Sequence, residues 1–170
     1  RKGLAAALAA LSAMPGPQGA HAVLLVAGAD RRLQRYRRQA AALGLGDRVQ
    51  FLGGLDDVRP VLWAADGFLA PALYDPFPNA ALEGLACGLP VIASPTCGVG
   101  ELIEPGVNGF VHDALDVAAI AGAMAQLAAQ PADGAMRRAA RASAMPWTLE
   151  ATAQSLLTLY RQVLAESPAP

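Results

Sequence analysis

Apolar residues along the chain fall into two alternating patterns. Short apolar runs bounded by Gly, Pro or Asp read as strands: AVLLVAG (22–28), VQFLG (49–53), GFLAP (67–71), PVIAS (90–94) and GFVHD (109–113). Between and after them, apolar positions recur at helical spacing over 3–13, 31–43, 56–65, 79–87, 98–103, 116–129, 133–144 and 148–165. Strands that are apolar throughout, alternating with helices, predict an α/β fold: a Rossmann-like parallel sheet with helices on both faces. The stretch AAQPADGAM (128–136) marks a break after which only helix follows, so the sheet is complete by about residue 113. In such folds ligands sit beyond the carboxyl ends of the strands, which directs attention to 28–31, 53–57, 71–80 and 94–100.

The densest chemistry in those loops is YDPFPNAALEGLACGLPVIAS (74–94). Asp75 follows a strand, and Glu83, eight positions later, falls near the start of the helix at 79–87. Leu82, Leu85, Ala86 and Leu89 mark the core side of that helix, Asn79 suits its N-cap, and Gly88 with Pro90 ends it. Glu83 lies off the apolar stripe. An acid early in a helix is also favoured by the helix dipole alone, and a Tyr-Asp-Pro turn needs no ligand, so the residues by themselves leave both readings open.

Composition changes the picture in three ways. The 54% hydrophobic content with 16% charged residues, in 170 residues, is that of a packed globule, and no apolar run reaches the roughly 18 residues of a membrane span. The net charge of −1 gives no global reason to expect nucleic acid, and none is expected as a partner. Cys87 and Cys97 lack metal-ligand spacing and read as plain thiols of a reducing, cytoplasmic setting. The chain opens on RKGLAAALAAL, with no initiator Met and no leading strand, and reads as a piece of something longer.

PALYDPFPNAALEGLACGLPVIAS resembles the signature of the family 4 (group 1) retaining glycosyltransferases of GT-B architecture, in which two acids straddle a Pro-Phe turn. The resemblance extends, in that family's order, through RKGL, LLVAGAD, LGLGDRVQFLGGLDDV, GVGELIEPGVNGFV and PWTLEATAQSLLTLYRQVL, and so covers essentially the whole chain. It implies a carboxyl-terminal, donor-binding half spanning 1–170, closest in flavour to the lipopolysaccharide core glucosyltransferases. The terminal helix at 147–165 would pack toward an amino-terminal domain that this sequence lacks. The implied donor is a nucleotide diphosphate sugar, a UDP-hexose in the first instance, which is a substrate and not a cofactor. The implied acceptor is a glycan or lipid-linked saccharide held by the other half, so that this chain alone would bind without transferring. The alternatives are a non-catalytic nucleotide-binding module or a GT-B isomerase or phosphorylase.

Carried over residue by residue, the resemblance makes Asp75 the acid that takes hydroxyls of the donor sugar and Glu83 the acid that takes those of the ribose. An ionised carboxylate is an acceptor-only group with two oxygens, suited to a vicinal diol. Phe77, Pro78, Asn79, Ala80 and Ala81 would line the diphosphate, with the N–H groups of Ala80 and Ala81 at a helix N-terminus. Two departures stand out: the family usually has Glu where Asp75 stands, and Gly where Pro78 stands. Gly28, Leu52, Gly53 and Gly54 end two strands where a ligand could approach the backbone, and the loop at 52–56 would lie against the nucleobase. Arg1 and Lys2, the latter the only lysine, match the family's phosphate-binding bases. With no Asp-x-Asp and no metal-ligand cluster in the sequence, those cations are expected to do the work of a metal, and no metal is expected.

Other polar features read as structural. Arg31, Arg32, Arg35, Arg37 and Arg38 lie over Leu33, Tyr36, Ala40 and Leu43 at helical spacing, which is a solvated amphipathic helix; peripheral contact with the inner face of an anionic membrane is the secondary expectation. His21 and His112 have no matching nucleophile or base nearby. In the last helix Leu149, Ala153, Leu156, Leu157, Tyr160, Val163 and Leu164 form a stripe after Thr148, its expected cap.

Overall fold

The computed structural model describes residues 2–132 and 134–166. Its strands are β1 (Leu24–Ala27), β2 (Val49–Gly53), β3 (Phe68–Ala70), β4 (Val91–Ala93) and β5 (Gly109–Val111). All pair in parallel, and hydrogen bonding divides them into two ladders, β1-β2 and β3-β4-β5. The helices are α1 (Leu4–Ala13), α2 (Gly16–His21), α3 (Leu33–Ala42), α4 (Arg59–Ala64), α5 (Asn79–Ala86), α6 (Val117–Ala128), α7 (Ala135–Ala144) and α8 (Leu149–Glu166).

Alternation along the strands fills both faces. Val91 and Ala93 of β4 pack with Leu85 of α5 and Ala140 of α7, while Ile92 between them packs with Ala10 of α1 and Ile120 of α6. Phe68 and Val111 join the first cluster, and Leu69 and Phe110 the second, so the period of two holds on the neighbouring strands. The other ladder is covered by a third cluster, in which Leu8 and Leu11 of α1 meet Ala40, Val49, Val26 and Phe51. Thus α1 bridges the two ladders, with Leu8 and Leu11 on one and Ala10 on the other. Fully burying a Leu or Ile contributes about 1.5–3 kcal/mol, so this helix is a major tie within the domain.

The structure departs from the sequence expectation at several places. Residues 16–21 form a helix outside the ranges read as helical; Pro17 lies in its first turn, where a fixed φ is tolerated. The helix expected from 56 begins at Arg59, because the Asp57 carboxylate accepts from the Arg59 N–H (3.0 Å) and Pro60 sets the first turn. Residues 98–102 form a 3₁₀ helix instead of an α-helix. Asn79 is the first helical residue of α5 and not its cap; Pro78, at φ −75° and ψ 108°, occupies the cap position without a side-chain bond. The helix expected from 133 begins at Ala135, with Gly134 in extended backbone (φ −64°, ψ 166°) at its cap position; Asp133 lies outside the described residues. The expected cap Thr148 is present, accepting from the Ala151 N–H (3.1 Å), and Asp116 caps α6 by accepting from the Ala119 N–H (2.9 Å).

No residue of α8 is buried, and its Leu149, Leu156, Leu157, Tyr160, Val163 and Leu164 are all exposed. No helix among the described residues is long and apolar enough to cross a membrane.

Candidate functional site

Asp75 sits in the loop between β3 and α5, and its position is set by main-chain bonds to the loop after β4. The Asp75 N–H donates to the Thr96 carbonyl (3.2 Å), and the Asp75 carbonyl accepts from the Gly98 N–H (3.0 Å), making an isolated parallel bridge between Asp75 and Cys97. The two segments touch so closely that a methyl group at Gly98 would overlap the Pro76 carbonyl oxygen. Glycine there is a condition of the acid loop's placement.

The same logic explains RKG. Gly3 has φ 81°, in the left-handed region, and a methyl group on it would overlap the Pro71 carbonyl at the end of β3. Gly3 thereby lays the chain against the β3 loop and brings Lys2 to Asp75, with Nζ 3.8 Å from Oδ2. The Lys2 side chain remains 75% exposed while that of Asp75 is only 13% exposed. One charge faces solvent and the other is largely covered. Arg1 lies outside the described residues.

Around the turn, Phe77 and Pro78 are half-buried, whereas Asn79 and Ala80 are exposed. The Pro78 carbonyl accepts from the N–H groups of Ala81 (2.9 Å) and Leu82 (3.4 Å). Ala81 is fully buried and its N–H is engaged, which corrects the expectation that it points outward; among the described residues Asn79 and Ala80 carry the first N–H groups without such a partner. The Phe77 ring lies 6.0 Å, centroid to centroid, from Trp147. Sequence reasoning did not place Trp147 here, because 70 residues separate the two and nothing in the local pattern links them.

Glu83 is exposed and sits in the second turn of α5, not the first. It lines a cavity of about 440 Å³ between α4 and α5, with Asp56, Asp57, Val58, Arg59, Leu62, Ala86 and Cys87. Arg59 grips Asp57 with a forked pair of hydrogen bonds, each 2.8 Å. Those bonds hold the Asp57 carboxyl below its ordinary value and push the Arg59 guanidinium further up, so both stay charged. The sequence signal for this wall was LDDVR, of which Leu55 and Asp56 fall in the loop read as facing the base.

At the other ladder, Gly28 and Gly53 meet each other: the Gly28 N–H donates to the Gly53 carbonyl (2.6 Å). Both have positive φ, 122° and 74°, and Gly28, Gly53 and Gly54 have open space where a side chain would stand. Leu52 is half-buried in β2. Cys97, behind the acid loop, is fully buried, and burial pushes its thiol up, with the Val99 N–H opposing; it is not a poised nucleophile. His112 stacks on Phe110 (centroids 6.3 Å apart, planes 12° apart), and Arg37 lies over the Phe51 ring, 4.9 Å from its centroid. Among the described residues no three His, Cys, Asp or Glu side chains gather as a metal-binding group.

The family model described as "Glycosyl transferases group 1" matches residues 1–144. The lipopolysaccharide core biosynthesis glycosyltransferase LpsE of Rhizobium meliloti is 31% identical over 99% of this chain and 47% of its own length. Among solved structures, sucrose-phosphate synthase from Thermosynechococcus elongatus superposes with a TM-score of 0.83 at 31% identity, covering 98% of this chain and 43% of that one. Anabaena HepE in complex with UDP and glucose superposes with a TM-score of 0.73 at 26% identity, covering 94% of this chain and 45% of that one. The chain therefore spans about half the length of the proteins it matches.

Proposed function

Because the chain belongs to the glycosyl transferases group 1, we propose that it is the carboxyl-terminal, donor-binding half of a retaining GT-B glycosyltransferase. It takes a nucleotide diphosphate sugar, a UDP-hexose in the first instance, for transfer to a glycan or lipid-linked acceptor of lipopolysaccharide type. The single observation that carries this reading is the covered Asp75 carboxylate beneath the exposed Lys2 ammonium, in a loop that leads directly into the N-terminus of α5. A sugar hydroxyl donates to the acid, and the diphosphate meets the ammonium and the N–H groups of Asn79 and Ala80.

In this reading Glu83 accepts from the ribose hydroxyls at the mouth of the cavity it lines, with the loop at 52–56 against the base. Bond cleavage places negative charge on the departing diphosphate, and Lys2 with the helix N-terminus stabilises it without a metal ion. HepE, solved with UDP and glucose, supports the donor class, and LpsE supports the acceptor class. On this reading the acceptor contacts belong to the part of the relatives' length that the match does not span. The setting is cytoplasmic. The exposed Arg31, Arg32, Arg35 and Arg38 at α3 support a peripheral contact with an anionic membrane face.

A thermal-shift panel tests the proposal. At a hundredfold excess over Kd a ligand adds about 2.7 kcal/mol, which for a domain of this size raises Tm by about 5–10 °C. UDP-glucose or another UDP-hexose should give that rise, and nicotinamide dinucleotides should not. A panel of sugar nucleotides that leaves Tm unmoved would overturn the donor reading.

A further inference from the structure

Trp147 stands in the connector between α7 and α8, fixed on both sides. Its N–H donates to the Ala144 carbonyl (3.0 Å), closing α7, and Thr148 next to it caps α8 through the Ala151 N–H (3.1 Å). The indole, about half exposed, projects onto Phe77 with the ring planes tilted by 33°. Phe77 is two residues from Asp75, and its ring edge also comes to 3.4 Å of where a side chain at Gly98 would begin. The acid loop is therefore held on two sides: by main-chain bonds to 96–98, and by one aromatic contact to the root of a helix that buries none of its own residues.

We propose that Trp147 is a positioning residue of the donor site. By holding Phe77 it sets the placement of the Asp75 loop, and because it also begins the connector to α8, displacement of that helix reaches the loop through the same contact. A half-exposed tryptophan on a half-buried phenylalanine could otherwise serve only to cover apolar surface. Coverage alone predicts a general loss of stability, whereas positioning predicts a loss confined to the acid loop. The part of the proposal that concerns the donor rests on the reading of Asp75 given above.

Two measurements decide it. In Trp147→Ala, amide hydrogen exchange at Tyr74, Asp75 and Phe77, the residues of 74–78 that carry an N–H, should quicken about fivefold, the scale of one lost aromatic pair, while exchange across α6 is unchanged; Trp147→Phe should restore most of the protection. By calorimetry, Trp147→Ala should weaken UDP-glucose about fivefold more than it weakens UDP, since the two ligands differ only in the sugar that addresses Asp75, and Trp147→Phe should recover the difference. Unchanged exchange at 74–78, or equal weakening of UDP-glucose and UDP, would overturn the proposal. Absence of nucleotide binding by the unaltered chain would refute the donor reading instead, and the exchange comparison then decides by itself whether Trp147 holds the loop.

Discussion

The Lys2 ammonium stands 3.8 Å from the Asp75 carboxylate, the lysine three-quarters exposed and the acid nearly covered. Such a pair is lopsided: the ammonium can take a second anion without leaving the first, while the carboxylate has little water to fall back on. As a surface ion pair it contributes at most about 1 kcal/mol to stability, so its geometry is better explained by what the ammonium can still reach.

Lys2→Ala should therefore leave Tm within a few degrees of the unaltered chain and reduce UDP affinity about tenfold, the lower end for a charge-assisted hydrogen bond. Uridine, which lacks the phosphates, should lose less than about twofold on the same reasoning. Calorimetry with and without EDTA reads both. Equal losses for the two ligands, or strict dependence on a divalent ion, would contradict the role given to the lysine.

Glu83 is exposed, and no hydrogen bond or ion pair to its carboxylate is present among the described residues. Glu83→Ala should weaken UDP by about 1.5–3 kcal/mol while changing stability by less than about 0.5 kcal/mol. An unchanged dissociation constant would reduce Glu83 to a solvated helix residue.

Two glycines give opposite predictions. Gly98→Ala places a methyl group onto the Pro76 carbonyl and should cost about 1–3 kcal/mol, the range for overpacking, with the acid loop displaced. Gly122→Ala lies within α6 with open space around it and should stabilise by about 0.5–1 kcal/mol. Urea unfolding of both variants checks the pair, and destabilisation by Gly122→Ala would contradict the local geometry.

The two thiols should separate cleanly. Cys87 is half-buried and lines the cavity that holds Glu83, whereas Cys97 is fully buried. Maleimide should label Cys87 in the native protein and Cys97 only after unfolding, and saturating UDP should slow labelling of Cys87. Cys97 has its folded pKa raised above the ordinary 9.0 by burial, so the folded state holds the proton more tightly. Its contribution is present in full below pH 9.0 and declines as pH rises through the higher folded value. Melting curves of the unaltered chain and Cys97→Ala should accordingly converge as pH is raised above 9.0.

The layered fold was legible because burial on both faces leaves an unmistakable pattern: β4 reads VIA and is buried at every position. Asp75 was singled out by its place after a strand, and Glu83 and the RKG start by the family's order; the structure brings Lys2 to Asp75 and leaves Glu83 exposed in the second turn of α5. What the chain could not reveal was contact across sequence distance. The overlap that forbids a side chain at Gly3 or Gly98, the reach of Trp147 to Phe77, and the gap between the ladders all depend on how separate segments lie in space. The misplaced cap at Asn79 has a local cause: Pro78 already supplies a residue with extended backbone just ahead of the helix, so the helix begins at Asn79, one position earlier than a cap there would place it.

The gap between the β1-β2 ladder and the β3-β4-β5 ladder sets how the molecule answers to shear. Among the described residues no main-chain bond joins the two ladders, so the spacing between the Gly53 turn and the Asp75 turn is set by side chains of α1 packed against both. A rigid molecule seated on both turns would act as a strut across that seam. Part of its binding energy would then appear as stiffness, measurable as slower exchange at residues on both sides that the molecule never touches.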